Sequence, residues 1–355
     1  MAGIAQEAAA ITTIDLGSAK GYSVLVFGNV ASFADVEGRA AIGGNVLNGF
    51  DAGYRSPFAA YKDANGKVQP ELVVGGNWNT NGSTVYGGPS VNVNTNASAE
   101  HSKVGPAAAQ TEYRAAGGDF RLGGVVFGSA SKNGSANSSQ ANGYHQTAVS
   151  AAEVQSGNKA VSATQNANYF DFAKAKSEVT ALSSNLNALA ATGSNHWGTL
   201  TGSGSGDLQV FNLGSSGNLS SLSLAHISAG SHIVINSSAT SVTLQGGDFL
   251  SFADRVIFNL PNATSVNLGW GGWGTLLAPK ATVFGTGHWE GNLIANQVAF
   301  SNGGVASMKS GSKLEVGYEP FTGYNVSAVP EPGSYALMLA GLGALGFVAR
   351  RRRQA

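Results

Sequence analysis

Six histidines are the first residues to weigh for chemistry, because imidazole is the commonest metal ligand and general base: His101, His145, His196, His226, His232 and His288. They are scattered, with no HExxH or His-x-His spacing that would aim two rings at one ion, so structural or surface roles are expected for them. Glu37 and Arg39 stand two apart on an apparent strand edge beside Asp35. That spacing fits an ion pair within a tight turn better than a ligand site. Asp63-Ala64-Asn65-Gly66 begins like a calcium loop but lacks the downstream Glu, and reads as a turn. No GxSxG elbow, P-loop or dinucleotide fingerprint occurs in a strand-to-helix context. The absence of cysteine excludes disulfides, thiolate metal sites and cysteine nucleophiles. No catalytic residue, cofactor or metal site is therefore expected, and the chain is not read as an enzyme.

Four neighbouring aromatic and imidazole rings offer a different chemistry. Trp270, Trp273, His288 and Trp289 fall in adjacent repeats, and a repeat offset of about 17 residues places Trp289 beside Gly272, next to Trp273. If Trp270, Trp273 and Trp289 face water, they form a flat apolar platform with polar rims, suited to stacking on sugar faces. The alternative is that they fill corners or core.

The elements that must hold these residues are mostly strands. Strand-like runs occur at Ser23 to Gly28, Ala40 to Val46, Leu72 to Gly76, Thr84 to Val93 and Arg121 to Phe127, bounded by Gly, Asn or Pro. Lys132 to Asn142 reads as an exposed loop and Val104 to Ala109 as a short connection. From about Asn168 to Ala191, Phe172, Val179, Leu182, Leu186 and Leu189 mark the apolar stripe of one amphipathic helix. Asn168 or Asp171 can cap its start and Gly193, at positive φ, its end.

Beyond Gly198 the chain repeats itself. HIVINSSATSVTL at His232 to Leu244 returns as VIFNLPNATSVNL at Val256 to Leu268, about 24 residues on, and GTLLAPKATVFG returns as GNLIANQVAFSN about 17 residues on. Offsets of this size match one coil of a β-solenoid, each coil pairing with the one below. Small side chains suit its corners, and asparagines can ladder from coil to coil. The expected fold is mainly β: a β-solenoid (parallel β-helix-like) body with the long amphipathic helix packed alongside, plus a C-terminal hydrophobic helix. An antiparallel sandwich is the competing architecture.

Composition narrows the function. Only 11% of the 355 residues are charged and 50 are glycine, so the surface is polar yet nearly uncharged. The tail from Val329 carries four of the 20 basic and one of the 20 acidic residues, which leaves 16 basic against 19 acidic in the body. A mildly acidic body without a basic patch disfavours nucleic acid. Tyr335 to Ala349 is uninterrupted by charge and runs into Arg350, Arg351, Arg352 and Arg353. As a helix it would span roughly 22 Å, short for a stable membrane span. The arginines act as a cytoplasmic stop, which puts everything before Val329 across the membrane. The opening MAGIAQEAAA lacks a basic start and an apolar core; residues 1–13 are read as the remnant of a signal peptide whose start lies further upstream.

Val329-Pro330-Glu331-Pro332, then the apolar stretch, then the arginines, resembles a PEP-CTERM sorting signal. The resemblance implies an exosortase-type membrane protease as partner, with cleavage in or near Pro330-Glu331-Pro332 and release or re-anchoring of the body. Two prolines keep that segment extended, as a protease requires. Ser23 to Val46 is similar to the opening of the choice-of-anchor A domain, an adhesin-like module. Gly274 to Val298, with Glu319 to Gly323, is similar to its close. Where that family has a Gly-Glu-x-His-like stretch, this chain has Leu314-Glu315-Val316-Gly317-Tyr318, so no role of that histidine carries over.

The expected organisation is residues 14–324 as an adhesin-like body, 325–328 as linker and 329–355 as sorting and anchoring tail. The expected function is that of an exported surface or matrix protein, adhesive or associated with exopolysaccharide. It would be held at the inner membrane by its C-terminal helix before processing, then reach the cell surface or medium. A polysaccharide lyase or hydrolase is the alternative, but its acids look too thinly spread to pair. Ice binding would need ordered threonine arrays, and Thr80, Thr84 and Thr95 are irregular. Mass spectrometry of the mature protein is expected to find a C-terminus in or near Pro330 to Pro332; an intact arginine end would overturn the reading of the tail.

Overall fold

A computed structural model describes residues 13–53, 65, 69, 71–76, 90–92, 163–165 and 169–325. The expected strand at Arg121 to Phe127, the loop at Lys132 to Asn142, the C-terminal hydrophobic segment and the sorting motif lie outside the described residues. Among those described, no helix is long and apolar enough to cross a membrane.

Among the described residues the chain is mainly β with one long helix, and its principal strands pair in parallel. The echo between residues 232 and 268 is a strand pairing: Ile233 to Asn236 lie level with Val256 to Asn259, and Ser241 to Leu244 with Ser265 to Leu268. The offset is 23 residues in the first pairing and 24 in the second, because the connection after Asn259 holds one residue more. In the next repeat Leu276 pairs with Leu293, but the register shifts between Ala278 and Thr282, and Thr282 pairs with Gln297. The antiparallel sandwich is thereby excluded. Antiparallel pairing is confined to peripheral ribbons such as Ser194–His196 with Thr199–Thr201 and Phe300–Asn302 with Val305–Ser307.

Strand order does not follow chain order. Leu293 to Ala295 pairs onward with Val24 to Val26, which then pairs with Ala40–Ile42 and, beyond that, Leu72–Val74. The first repeats of the chain therefore stack on its last ones. Buried Asn292 fastens this junction: its amide donates to the Tyr22 carbonyl at 2.6 Å and its Oδ1 accepts the Phe321 N–H at 2.8 Å. Beside it, Thr13–Ile14 pairs antiparallel with Tyr324–Asn325.

The main sheet is apolar on both faces. One face, with Val24, Ile42, Leu72, Ile235, Phe258, Leu276 and Leu293, fills the interior. The other, with Leu25, Ala41, Val73, Val234, Ile257, Leu277 and Ile294, is covered by the helix α1, Phe172–Asn187. Its stripe is the expected one, with Val179 and Leu186 buried and Phe172, Leu182 and Leu189 packed against the cluster. Small residues, Ala175 and Ser183, are buried on the same side of the helix. Asp171 caps the N-terminus by accepting the Lys174 N–H at 2.9 Å.

The other end of the helix departs from expectation. It closes at Ala188 rather than through a left-handed Gly193, which instead donates to the Val210 carbonyl where a side chain would strike the Phe211 ring. Its carbonyls are held by an asparagine ladder. Asn212, Asn236 and Asn259 occupy one register row. Their amides donate to Leu189, Leu186 and Ser183 oxygens respectively, each at 2.9 Å. Asn259 also donates to Asn236 Oδ1, and Asn236 to Asn212 Oδ1, both at 2.8 Å. The ladder thus ties three repeats and the strap into one network. Asn259→Ala is expected to cost about 2–4 kcal/mol in urea unfolding, since it leaves buried oxygens and amides unsatisfied. A loss below about 0.5 kcal/mol would contradict this account.

Candidate functional site

A second parallel sheet places the polar side chains that matter. Its order is Gly271–Trp273, His288–Glu290, Glu315–Val316, Asp35–Val36 and Asp51–Ala52. Alternation along each strand sends Trp289, Val316, Val36 and Ala52 inward, where all are buried. It sends His288, Glu315, Asp35 and Asp51 outward, level with one another across four strands. One step along, Glu290 and Glu37 project from the same face on either side of Gly317.

Five carboxylates from distant stretches of chain thus share one sheet face, and three of them, Glu37, Glu290 and Glu315, surround one imidazole. His288 Nδ1 lies 3.6 Å from Glu315 Oε1, and its Nε2 lies 3.4 Å from Glu290 Oε1. One ligand atom from each of Glu37, His288 and Glu315 falls within 4.8 Å of the other two. Gly317 is what lets them converge: a Cβ there would stand 2.0 Å from Glu290 Oε2 and 2.8 Å from His288 Nε2. Like charges opposite one another on neighbouring strands repel. Asp35 shows the cost, its carboxyl pushed up from 3.8 to about 6 by burial first and then by Glu315, Glu37 and Asp51, with His288 opposing. Its Oδ1 is buried with no hydrogen-bond partner among the described residues.

These acids were expected to be too thinly spread to pair, which the sheet register corrects. Residues 35, 37, 51, 288, 290 and 315 carry no mutual signal in sequence; only the pairing of the first repeats with the last brings them together. Beside Glu37, Arg39 turns inward. Its Nη2 donates to the Tyr22 hydroxyl at 3.0 Å, and its guanidinium lies 4.1 Å from that ring's centroid.

The aromatic platform needs a sharper correction. Trp289 does lie level with Gly272, as the repeat offset required. Its side chain, however, is only 1% exposed: it fills the interior against Phe258 and donates its indole N–H to the Gly274 carbonyl at 2.9 Å. Gly272 lacks a side chain because that indole occupies the space. Trp273 is half-buried and packs on the core, while Trp270 is 86% exposed. Trp197, 95% exposed, belongs with Trp270 although its sequence context did not single it out. Backbone bonds from Ser223 to Gly198, Asp248 to Leu222 and Gly246 to Gly271 align the four segments. Trp197 and Trp270 therefore mark one corner, three strand spacings or roughly 14 Å apart. Trp197 and Ser221, like Gly246, turn that corner at positive φ.

Between this corner and the carboxylates lies a shallow pocket of about 190 Å³ lined by Leu250, Ala253, Asp254, Trp273, Glu290 and Glu319. Glu290 belongs to both features. The other described histidines lie elsewhere: His196 stacks on Trp197, His226 is exposed, and half-buried His232 packs against Phe321 and Tyr324. Burial holds the His232 ring below its ordinary pKa.

A protein-family model described as "Putative Ice-binding-like adhesive domain" matches residues 15–307, and one described as a PEP-CTERM protein-sorting motif matches residues 328–353. No curated protein and no solved structure gives a match.

Because Asp35 holds its proton more tightly in the folded chain, this group binds more protons in the native state than in the unfolded one between about pH 4 and pH 6. The contribution of Asp35 to the unfolding free energy, measured with a chelator present as the difference from Asp35→Asn, is accordingly expected to fall as pH rises through that window. Asp35→Asn should flatten the slope and be the more stable protein at pH 7; an unchanged slope would show that Asp35 is not under this repulsion.

Proposed function

Taking as premise that the chain belongs to the ice-binding-like adhesive domain family and carries a PEP-CTERM sorting motif, we propose that its body is a β-solenoid that binds polysaccharide outside the cell. The motif marks the chain for export and for processing by an exosortase. What supports the solenoid is the succession of parallel pairings at offsets of 23, 24 and 17 residues, each carried from one sheet to the next around a common apolar interior. Three strand rows recur per turn: residues 256–259, 265–268 and 271–273 form one turn, and 275–278, 282–285 and 288–290 the next.

The observation that carries the binding function is the pair of exposed indoles, Trp197 and Trp270, on one corner of a weakly charged surface. A sugar ring offers the apolar face and hydroxyl rim that an exposed indole matches. The adjoining pocket supplies a third, half-exposed ring, Trp273, and carboxylates that accept hydrogen bonds from hydroxyls. Repetition along the corner makes binding a sum of shallow contacts. An ice-binding surface is less well supported: the outward row at residues 241, 265, 282 and 297 reads Ser, Ser, Thr, Gln, and its neighbour at 218, 243 and 267 reads Asn, Thr, Asn.

The gathered carboxylates favour one second reading, a polysaccharide-active enzyme, in which a carboxylic acid and a carboxylate flank the scissile bond. They stand on an open sheet face beside a pocket too small to enclose a sugar chain, which makes adhesion the better-supported function.

Co-sedimentation with the host's extracellular polysaccharide tests both readings. The full chain is expected to pellet with it, and Trp197→Ala with Trp270→Ala to lose roughly tenfold or more in affinity, about 1.4 kcal/mol, with an unchanged circular dichroism spectrum. No pelleting would defeat the adhesive reading; release of reducing ends, abolished in Glu315→Gln, would establish the enzymatic one.

A further inference from the structure

We propose that Glu37, His288 and Glu315 form a binding site for a divalent first-row transition metal ion, zinc being the one the donor set suits best. Three observations support it. The three side chains come from neighbouring strands and already offer ligand atoms within 4.8 Å of one another, so small side-chain rotations bring them onto bonds of about 2.0–2.2 Å. The ring of His288 is flanked by carboxylates on both nitrogens, at 3.4 Å and 3.6 Å. One nitrogen can then ligate while the proton on the other is held by a carboxylate, the arrangement that fixes the tautomer of metal-bound histidines. Finally, Gly317 leaves open the space against Glu290 and His288 Nε2 that any Cβ would fill.

The donor set selects the ion. Calcium and magnesium take oxygen ligands, whereas an imidazole among carboxylates suits zinc and its neighbours in the first transition row. Three protein ligands leave a fourth position, open to water or to a neighbouring carboxylate. Positive charge at this point also relieves the repulsion among Asp35, Glu37, Asp51, Glu290 and Glu315. The ion would join three segments, residues 35–37, 288–290 and 315, across the junction where first and last repeats meet. It is a staple between distant parts of the chain, independent of whether the tryptophan corner binds polysaccharide.

Calorimetric titration of untagged, EDTA-treated full chain with zinc chloride tests the site, with cobalt chloride as a spectroscopic probe. One ion per chain is expected, together with a rise in melting temperature and a visible cobalt absorption band. His288→Ala should weaken zinc binding by about tenfold or more and erase the cobalt band, while His226→Ala, at an exposed histidine, should change neither. Should His288→Ala misfold by circular dichroism, Glu37→Gln and Glu315→Gln take its place with the same expected losses. Absence of zinc binding, zinc binding unchanged in these variants, or saturation by calcium but not zinc would each overturn the proposal.

Discussion

A parallel sheet that is apolar on both faces must be covered on both, and that single demand organises this molecule. The inner face solves it by closing around Phe258, Leu276, Leu293 and their neighbours. The outer face, from Val73 through Leu25 and Ile294 to Val234, has α1 laid along it, with Ile14 and Tyr324 of the terminal ribbon joining the same buried cluster. Roughly 24 Å of helix lies across the sheet between Gly43 at one end and Asn212 at the other, which are six strand pairings apart. The polar contacts around α1 then keep it there. Asp171 caps one end and the asparagine ladder holds the other, while Glu178 accepts from both the backbone and the hydroxyl of Ser18. Because Asn212, Asn236 and Asn259 bond both to one another and to helix carbonyls, stacking and strapping are one cooperative structure.

Much of this was legible in sequence, and for identifiable reasons. The stripe from Phe172 to Leu189 and the cap at Asp171 are local signals, and local signals survive folding. The echo of HIVIN in VIFN declared the parallel pairing because each strand meets a near-copy of itself. Gly272 and Trp289 could be placed level by the same logic. Their side-chain direction could not, since a one-residue change of parity exchanges inside for outside, and HWE carries its indole on the inward parity. Gly193 looked like a helix stop, but its lack of a side chain serves the Phe211 ring.

What no local signal could reveal is the meeting of Val24 with Leu293. Nothing in SVLVFG advertises LIANQV as its neighbour, and repeats read in order suggest a stack in order. The acidic row is hidden for the same reason, being assembled from residue 35 on one side of that junction and residues 288 and 315 on the other. A low-charge chain makes the omission more consequential, since it concentrates several of its few carboxylates where sequence shows only isolated acids.

The pairing of first repeats with last has a temporal consequence for a polypeptide synthesised from its amino end. Val24 to Val74 emerge early, yet the edge on which they rest, Leu293 to Ala295, arrives some 270 residues later. Until then the early segment presents unpaired backbone on a side that a neighbouring molecule could capture. Its correct mate reaches it only after a long loop has closed, a slow class of event. Completion of the body is therefore tied to synthesis of nearly all of it, because the strand that locks the first repeats is among the last to be made.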